Sequence, residues 1–293
     1  MMLLIPADVL RPRRPDDHFA AEAEGAAAAG IAVALVDHDA LTEPGGTTRA
    51  IAKVPDGGGE AVYRGWMLRS SQYLDFAEAL AAKGVFLRTS ASQYRQAHEL
   101  PGWYPALASI TPQSAWTASD SRDDFLRACA DLGSGPAVLR DYVKSMKHYW
   151  DEAAFIPDLA DITTAWKVAT RFMDLREDDF TGGFVLRRFE QFRSAEVRTW
   201  WINGICPLIT AHPDTPDEMP PQRVDLTWLS PLIKGLGLPF VTVDLAQRTD
   251  GLWRVIELGD GQVTDRPVNT DPSEFLAATL RTQSSPSASD GVT

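Results

Sequence analysis

Cysteine is scarce: the chain has two, Cys129 and Cys206, far apart in sequence and in no metal-ligand spacing. A disulfide framework is therefore not expected, and a reducing, cytoplasmic compartment is the default. Basic charge is also short. Against 40 Asp and Glu stand 28 Lys and Arg, a net charge of −12. General nucleic-acid binding wants a basic surface and is not expected, although a local basic site could still hold a nucleotide. Long apolar runs are missing. The opening MMLLIPADVLRPRR carries a run of about five apolar residues, shorter than a signal-peptide core. No stretch reaches the roughly 18 apolar residues of a membrane helix, so no membrane span is expected. The five histidines show no HxxxH spacing, no GxGxxG follows the first apolar strand, and no internal repeat is evident.

What remains is length and pattern. A chain of 293 residues can build one large or two medium domains with a sizeable core. Met2 to Pro6 reads as a buried strand, Asp16 to Gly30 as a helix with a glycine stop, and Ile31 to Val36 as a second strand. Strand, helix and strand at this spacing suggest a parallel βαβ unit. Glu60 to Met67 and Val85 to Arg88 add two further strands around a helix at Tyr73 to Lys83. Arg64, between Tyr63 and Trp66, is a candidate substrate contact; the competing reading is an arginine stacked on its aromatic neighbours or paired with an acid. The stretch LPGWYPALASITPQSAW, with three prolines and few charges, reads as a connection, with a boundary near residue 115.

Beyond it, Ser119 to Leu132 reads as a capped helix and Ala137 to Val143 as a strand. In a strand, Arg140, Tyr142 and Lys144 share one face, with Lys147 just beyond. Three cations there make a phosphate clamp or, equally, a solvated edge strand. Asp161 to Asp179 is helical in pattern, and Phe184 to Phe189 is a strand. Glu196 to Ile202 meets Ile205 to Thr210 across Asn203-Gly204, a well-marked hairpin. Glu196 and Arg198 project from one face, either as a surface ion pair or as a phosphate-facing arginine oriented by its acid. His212 to Pro221 is a proline-rich loop, expected to be mobile and placed to cover a site. Val224 to Gly237 reads as a helix, Asp271 to Arg281 as the last one, and residues 283–293 as a disordered tail.

The chain is organised around FVTVDLAQRTDGLWRVIELGDGQ, Phe240 to Gln262. Two strands meet across an Asp250-Gly251 turn. A two-residue loop sets Thr249 opposite Leu252, Arg248 opposite Trp253, Ala246 opposite Val255, and Asp244 directly opposite Glu257. Like charges so placed repel. A hard cation between them, Mg²⁺ or Mn²⁺, would resolve the conflict, with phosphate oxygens completing its shell; the competing reading is a surface hairpin with scattered acids. Asp260, in a Gly259-Asp260-Gly261 bend, could curl back as a third ligand.

The order of basic strand, apolar strand ending in an acid, Glu-x-Arg hairpin and acidic hairpin resembles the C-terminal half of ATP-grasp enzymes. The closer resemblance is to the branch named for one arginine and two lysines, here Arg140, Lys144 and Lys147. It rests on LRDYVKSMKHYW, VLRRFE, EVRTWW, TAHPDTP and VTVDLA…WRVIELGDGQV, over about residues 115–270. The resemblance implies an α+β, ATP-grasp-like fold at 116–282, preceded by a small parallel-sheet α/β domain at 1–115. It implies ATP between two lobes, its phosphates held by Arg140, Lys144 and Lys147, its ribose or adenine edge met by Glu190, with Arg187 and Glu196 as further cofactor-binding residues, and Lys147 acting with Arg198 in catalysis. It makes Arg198 the γ-phosphate or acyl-phosphate contact and Asp244, Glu257 and Asp260 the metal ligands. The family set more often ends in Asn than Asp. The implied reaction is a carboxylate–amine ligation through an acyl phosphate, on a small-molecule or peptide substrate. Three alternatives stay open: a kinase acting on a small metabolite, a nucleotide-binding regulator without turnover, and a structural α+β protein whose charged strands are only solvated faces.

Overall fold

The computed structural model describes residues 1–193, 195–218 and 224–280. The tail expected at 283–293 lies outside the described residues, as do the last residues of the 212–221 loop. In chain order the first region contains β1 (Met2–Pro6), α1 (Ala20–Ala28), β2 (Ala32–Val36), α2 (His38–Thr42), α3 (Thr47–Ala50), β3 (Gly59–Tyr63), α4 (Ser70–Ala82) and β4 (Val85–Leu87). The strands form one sheet in the order β2-β1-β3-β4, all pairs parallel, so the βαβ expectation holds. Side chains alternate between two apolar faces. Met2 and Leu4 join α4 through Phe76 and Leu80, while Leu3 and Ile5 join α1 through Ala23 and Ala26.

Next come α5 (Ala91–His98), α6 (Leu100–Leu107), β5 (Ser114–Trp116), α7 (Arg122–Leu132), β6 (Ala137–Arg140), β7 (Phe155–Ile156), α8 (Ile162–Arg176) and β8 (Val185–Arg188). The second sheet runs β5-β8-β6-β7, antiparallel throughout, under α7 and α8. The supposed connection at 100–116 is thus a helix and a strand. Pro101 sits in the first turn of α6, where no backbone donor is needed. Pro105 lies inside the helix, which persists because Leu100, Trp103 and Leu107 are buried against the third sheet. Packing overrides propensity here.

The third sheet contains β9 (Val197–Ile202), β10 (Ile205–Ala211), β11 (Phe240–Gln247) and β12 (Trp253–Asp260), in the antiparallel order β10-β9-β11-β12. The expected turn at Asn203-Gly204 has φ of 49° and 78°, the left-handed pair of a tight hairpin. Of the helix expected from Val224 to Gly237, only α9 (Ser230–Gly235) is helical, with Pro231 in its first turn. The final helix α10 (Pro272–Leu280) returns to the first region. Its Phe275, Leu276 and Leu280 fill the space between the parallel sheet and Trp200, Ile202 and Phe240 of the third sheet.

Candidate active site

The third sheet divides its two faces by pleat. Phe240, Thr242 and Asp244 share a face of β11, apolar at the Phe240 end and charged at the other. Arg198 pairs with Asp244 from β9, and Glu257 pairs with it from β12. The expected opposition of Asp244 and Glu257 is therefore present, by a different route. Arg248 N–H bonds the Leu252 carbonyl, so the loop has three residues, and Gln247 rather than Arg248 faces Trp253. That slips the register by one. A bulge at Ile256, where the ladder jumps from Leu245↔Val255 to Asp244↔Glu257, restores it. Arg187 donates to the Ile256 carbonyl at 2.6 Å, which satisfies the bulge.

Each of the opposed acids is met by an arginine. Arg198 donates bidentately to Asp244, 2.8 Å to each oxygen, and also to the Asp265 carbonyl at 3.1 Å. Arg140, at the end of β6, donates to Glu257 at 2.7 Å and so ties the second sheet to the third. Burial pushes the Asp244 carboxyl up, but Arg198 outweighs it and holds it well below the usual range. Burial likewise raises Glu257, and Arg140 with Lys144 bring it below its ordinary value. The Glu257 side chain is 40 % exposed toward the cleft, against 4 % for Asp244. These hard oxygens suit Mg²⁺ when phosphate oxygens complete the shell.

Both acids open on a cleft of about 340 Å³ whose wall also includes Lys144, Lys147, Arg198 and His212. Lys144 does not reach it by strand alternation, because β6 stops at Arg140. Asp141 turns the chain there, its Oδ1 accepting from the Val143 and Lys144 N–H groups at 2.7 and 2.6 Å. Tyr142 leaves the expected cationic face and bonds the Thr117 carbonyl. Lys147, in a short 3₁₀ turn, pairs with Asp214 of the proline-rich loop, and Pro213 and Asp214 both line the cleft. Glu196, His212 and Asp244 bring ligand atoms within 4.8 Å of one another. The Arg198 guanidinium already lies among them, 3.1 Å from His212 Nε2. Burial and the neighbouring Asp244 push Glu196 up to about 7.

Four expected site residues are placed elsewhere. Asp260 pairs with Val241, on the pleat opposite Glu257, and is fully buried. Its Oδ1 accepts from the Gln262 N–H at 3.0 Å, its Oδ2 has no partner, and burial raises it to about 6. The residue sharing the Glu257 face is Gly259, which lines the cleft. Arg64 is 1 % exposed, clamped by Glu22 at 2.7 Å and by the carbonyls of Gly261, Gln262 and Thr264. It joins the parallel sheet to the end of β12 and does not line the cleft. Arg187 is buried on Ile256 and Thr111, with burial bringing it down to about 10. Glu190 is taken up by Arg254 at 2.9 and 2.8 Å. Sequence patterns did not single out His98. It ends α5 and stands on the wall of the cleft, and only long-range packing brings it there.

The model of an ATP-grasp domain family, family 3 of the clade named for one arginine and two lysines, matches residues 131–279, half of the chain. The chain belongs to that ATP-grasp family. Three solved structures share its fold. The RimK domain protein ATP-grasp from Sphaerobacter thermophilus is 16 % identical, with a TM-score of 0.59 over 95 % of this chain and 100 % of that one. D-cycloserine synthetase DcsG is 17 % identical, with a TM-score of 0.60 over 95 % of each chain. The ATP-grasp ligase PsnB, in complex with a phosphomimetic variant of its minimal precursor, Mg and ADP, is 14 % identical, with a TM-score of 0.55 over 95 % of this chain and 96 % of that one. No curated protein matches the chain. Among the described residues no helix is long and apolar enough to cross a membrane.

Proposed function

We propose that the protein is an ATP-dependent carboxylate–amine ligase of the cytoplasm, acting through an acyl phosphate. What supports it is the convergence on one cleft of opposed Asp244 and Glu257 with three cations, Lys144, Lys147 and Arg198, and with buried Arg140 bonded to Glu257 behind its wall. The fold relatives named a synthetase and a ligase, one with Mg and ADP, agree with this reading. The nucleotide lies between the two lobes of the grasp domain at 116–282, and the parallel-sheet domain at 1–115 precedes it and contributes to the substrate site. Asp244 and Glu257 would hold Mg²⁺, which supplies charge neutralisation for the triphosphate when bound. Lys144, Lys147 and Arg140 position the phosphates, and Arg198 meets the transferring group. The Arg140–Glu257 and Lys147–Asp214 pairs must loosen as phosphate oxygens replace their partners. A substrate carboxylate oxygen bonds to the γ-phosphorus as its bond to ADP breaks. An amine lone pair then attacks the acyl carbon, phosphate leaves, and the amine gives up one proton. Positioning does the work, and no protein nucleophile is needed.

The test is ATP turnover with a panel of carboxylates, using hydroxylamine as the amine. Carboxylate-dependent hydroxamate and phosphate are expected. ATP consumption that leaves its phosphate on a substrate hydroxyl would replace the ligase by a kinase. Mg·ATP binding without turnover across the panel would favour a regulator.

A further inference from the structure

In a ligation the amine gives up one proton as it attacks the acyl carbon. A side chain that takes this proton needs a free lone pair open to the cleft. Most titratable groups of the lining lack one. Asp244 and Glu257 are held by Arg198 and Arg140, and Asp214 by Lys147. The ammonium groups of Lys144 and Lys147 are donors only. His212 has both ring nitrogens taken up, Nε2 by Arg198 at 3.1 Å and Nδ1 by the Asp214 N–H at 3.2 Å. His98 has its Nε2 closed to solvent. Among the described residues, Asp265 is the one acid of the lining with neither arginine nor lysine on its carboxylate; a histidine stands there instead.

Asp265 reaches in two directions. Its carbonyl accepts from Arg198 at 3.1 Å, and its carboxylate meets His18 Nε2 at 3.0 Å. One residue thus joins the arginine of the transferring group to an imidazole. His18 belongs to the loop that leads from β1 into α1, at the carboxyl ends of the parallel strands. Its ring packs on Trp66 at 4.5 Å and on Phe19 at 4.7 Å. Trp66 lines the cleft and also a cavity of about 380 Å³ at the ends of β1 and β2. His18 therefore stands between two lining residues, Asp265 and Trp66, with its side chain 44 % exposed. A carboxylate only accepts, so Nε2 carries the proton of the neutral ring and the lone pair lies on Nδ1. Nδ1 has no hydrogen-bond partner among the described residues. The other charges beside the ring are Asp16, which takes the His18 backbone N–H at 2.9 Å, and Asp17, which Arg11 meets at 3.3 Å.

We propose that His18 is the general base of the amine step, with Asp265 fixing its tautomer and orientation. This rests on the ligase reading and adds where the proton of the amine goes. The amine lone pair bonds to the acyl carbon, and the carbonyl π pair moves to oxygen. His18 Nδ1 takes one proton from the nitrogen as the C–N bond forms. The carbonyl then reforms, the C–O bond to phosphate breaks, and phosphate leaves with that pair. The imidazolium returns its proton to water. Asp265 offsets the charge that the ring carries in between.

The test uses the full chain with Mg·ATP, the carboxylate panel and hydroxylamine as the amine, and reads the two half-reactions apart. Carboxylate-dependent exchange of labelled ADP into ATP reports acyl-phosphate formation; kcat/KM for hydroxylamine reports the amine step. In His18→Gly, kcat/KM for hydroxylamine should fall about 100-fold while exchange stays within about twofold, and added imidazole should restore about tenfold of the loss. His18→Gln keeps an N–H for Asp265 but has no base, and should lose as much as His18→Gly without rescue. The proposal is overturned if either variant keeps the parental kcat/KM, if exchange falls in step with hydroxamate, or if imidazole restores nothing to His18→Gly. A parent protein that shows neither exchange nor hydroxamate refutes the ligase reading itself, and the base with it, a result that no His18 variant can mimic.

Discussion

At the scale of single residues, charges that look like ligands divide into those facing the cleft and those holding the frame. Asp260 belongs to the frame. Its folded pKa, about 6, lies above the ordinary value of 3.8, so the fold prefers the protonated form. The resulting stability is fully present below about pH 4 and is lost as pH rises through 6. At pH 7 the chain therefore carries a cost of up to about 3 kcal/mol at this site. Asp260→Asn keeps the acceptor for Gln262 and removes the titration. It should raise the melting temperature at pH 7, with the gain fading toward pH 4. A gain of equal size at both pH values would refute the assignment. Arg64 makes the complementary case. Arg64→Leu leaves buried Glu22 with only the longer Arg266 pair at 3.6 Å and frees three carbonyls, so chemical denaturation should show a loss of about 3–5 kcal/mol. An Arg64 variant with unchanged stability and a raised substrate KM would restore it as a substrate contact. Nothing local distinguishes Arg64 from Arg198 in the sequence. Each sits among strand residues beside aromatics, and only the partner brought by the fold, Glu22 or Asp244, separates them.

At the scale of elements, the acidic hairpin shows how a sequence can give the right pairing through the wrong geometry. The Asp250-Gly251 signal marks the turn, but not whether two or three residues close it. The bulge at Ile256 has no sequence signature, since it depends on Arg187 reaching the freed carbonyl from another sheet. The two displacements cancel at Asp244 and Glu257. Asp260 fails as a ligand for a simpler reason: β12 continues through it, and an odd step from Glu257 puts it on the other pleat. The basic segment departs from its pattern in another way. Alternation was legible up to Arg140, and the Asp141 turn that redirects Lys144 depends on Arg176 holding the other carboxylate oxygen. The prolines of α6 read as a connection because burial of Trp103 is invisible locally. Glu257→Gln tests the hairpin as an element. Its register is set by backbone pairing, so the fold should survive, with a melting temperature near that of the parent. Mg²⁺ dependence of nucleotide binding should weaken by about tenfold or more. Unchanged Mg²⁺ dependence would remove Glu257 from the metal site.

At the scale of the molecule, the cleft is a junction. Arg140–Glu257 ties the second sheet to the third, Lys147–Asp214 ties the loop after β10 to the basic segment, and His98 brings in the helices behind the parallel sheet. Each of the two ion pairs is one that a polyanion with its cation can replace. Ligand binding should therefore stabilise the whole chain rather than one lobe. Mg·ATP at 100 times its Kd adds about 2.7 kcal/mol by linkage, and a protein of this size should show it as a rise of several degrees in melting temperature. ATP without Mg²⁺ should give a smaller rise, because Asp244 and Glu257 would then face the triphosphate unscreened. In Glu257→Gln the Mg²⁺-dependent part of the rise should shrink while the ATP-only part remains. If Mg²⁺ adds nothing in the parent protein, the opposed acids are neutralised by Arg140 and Arg198 alone. Their pairing is then a structural device, and the cleft binds something other than a metal–nucleotide complex.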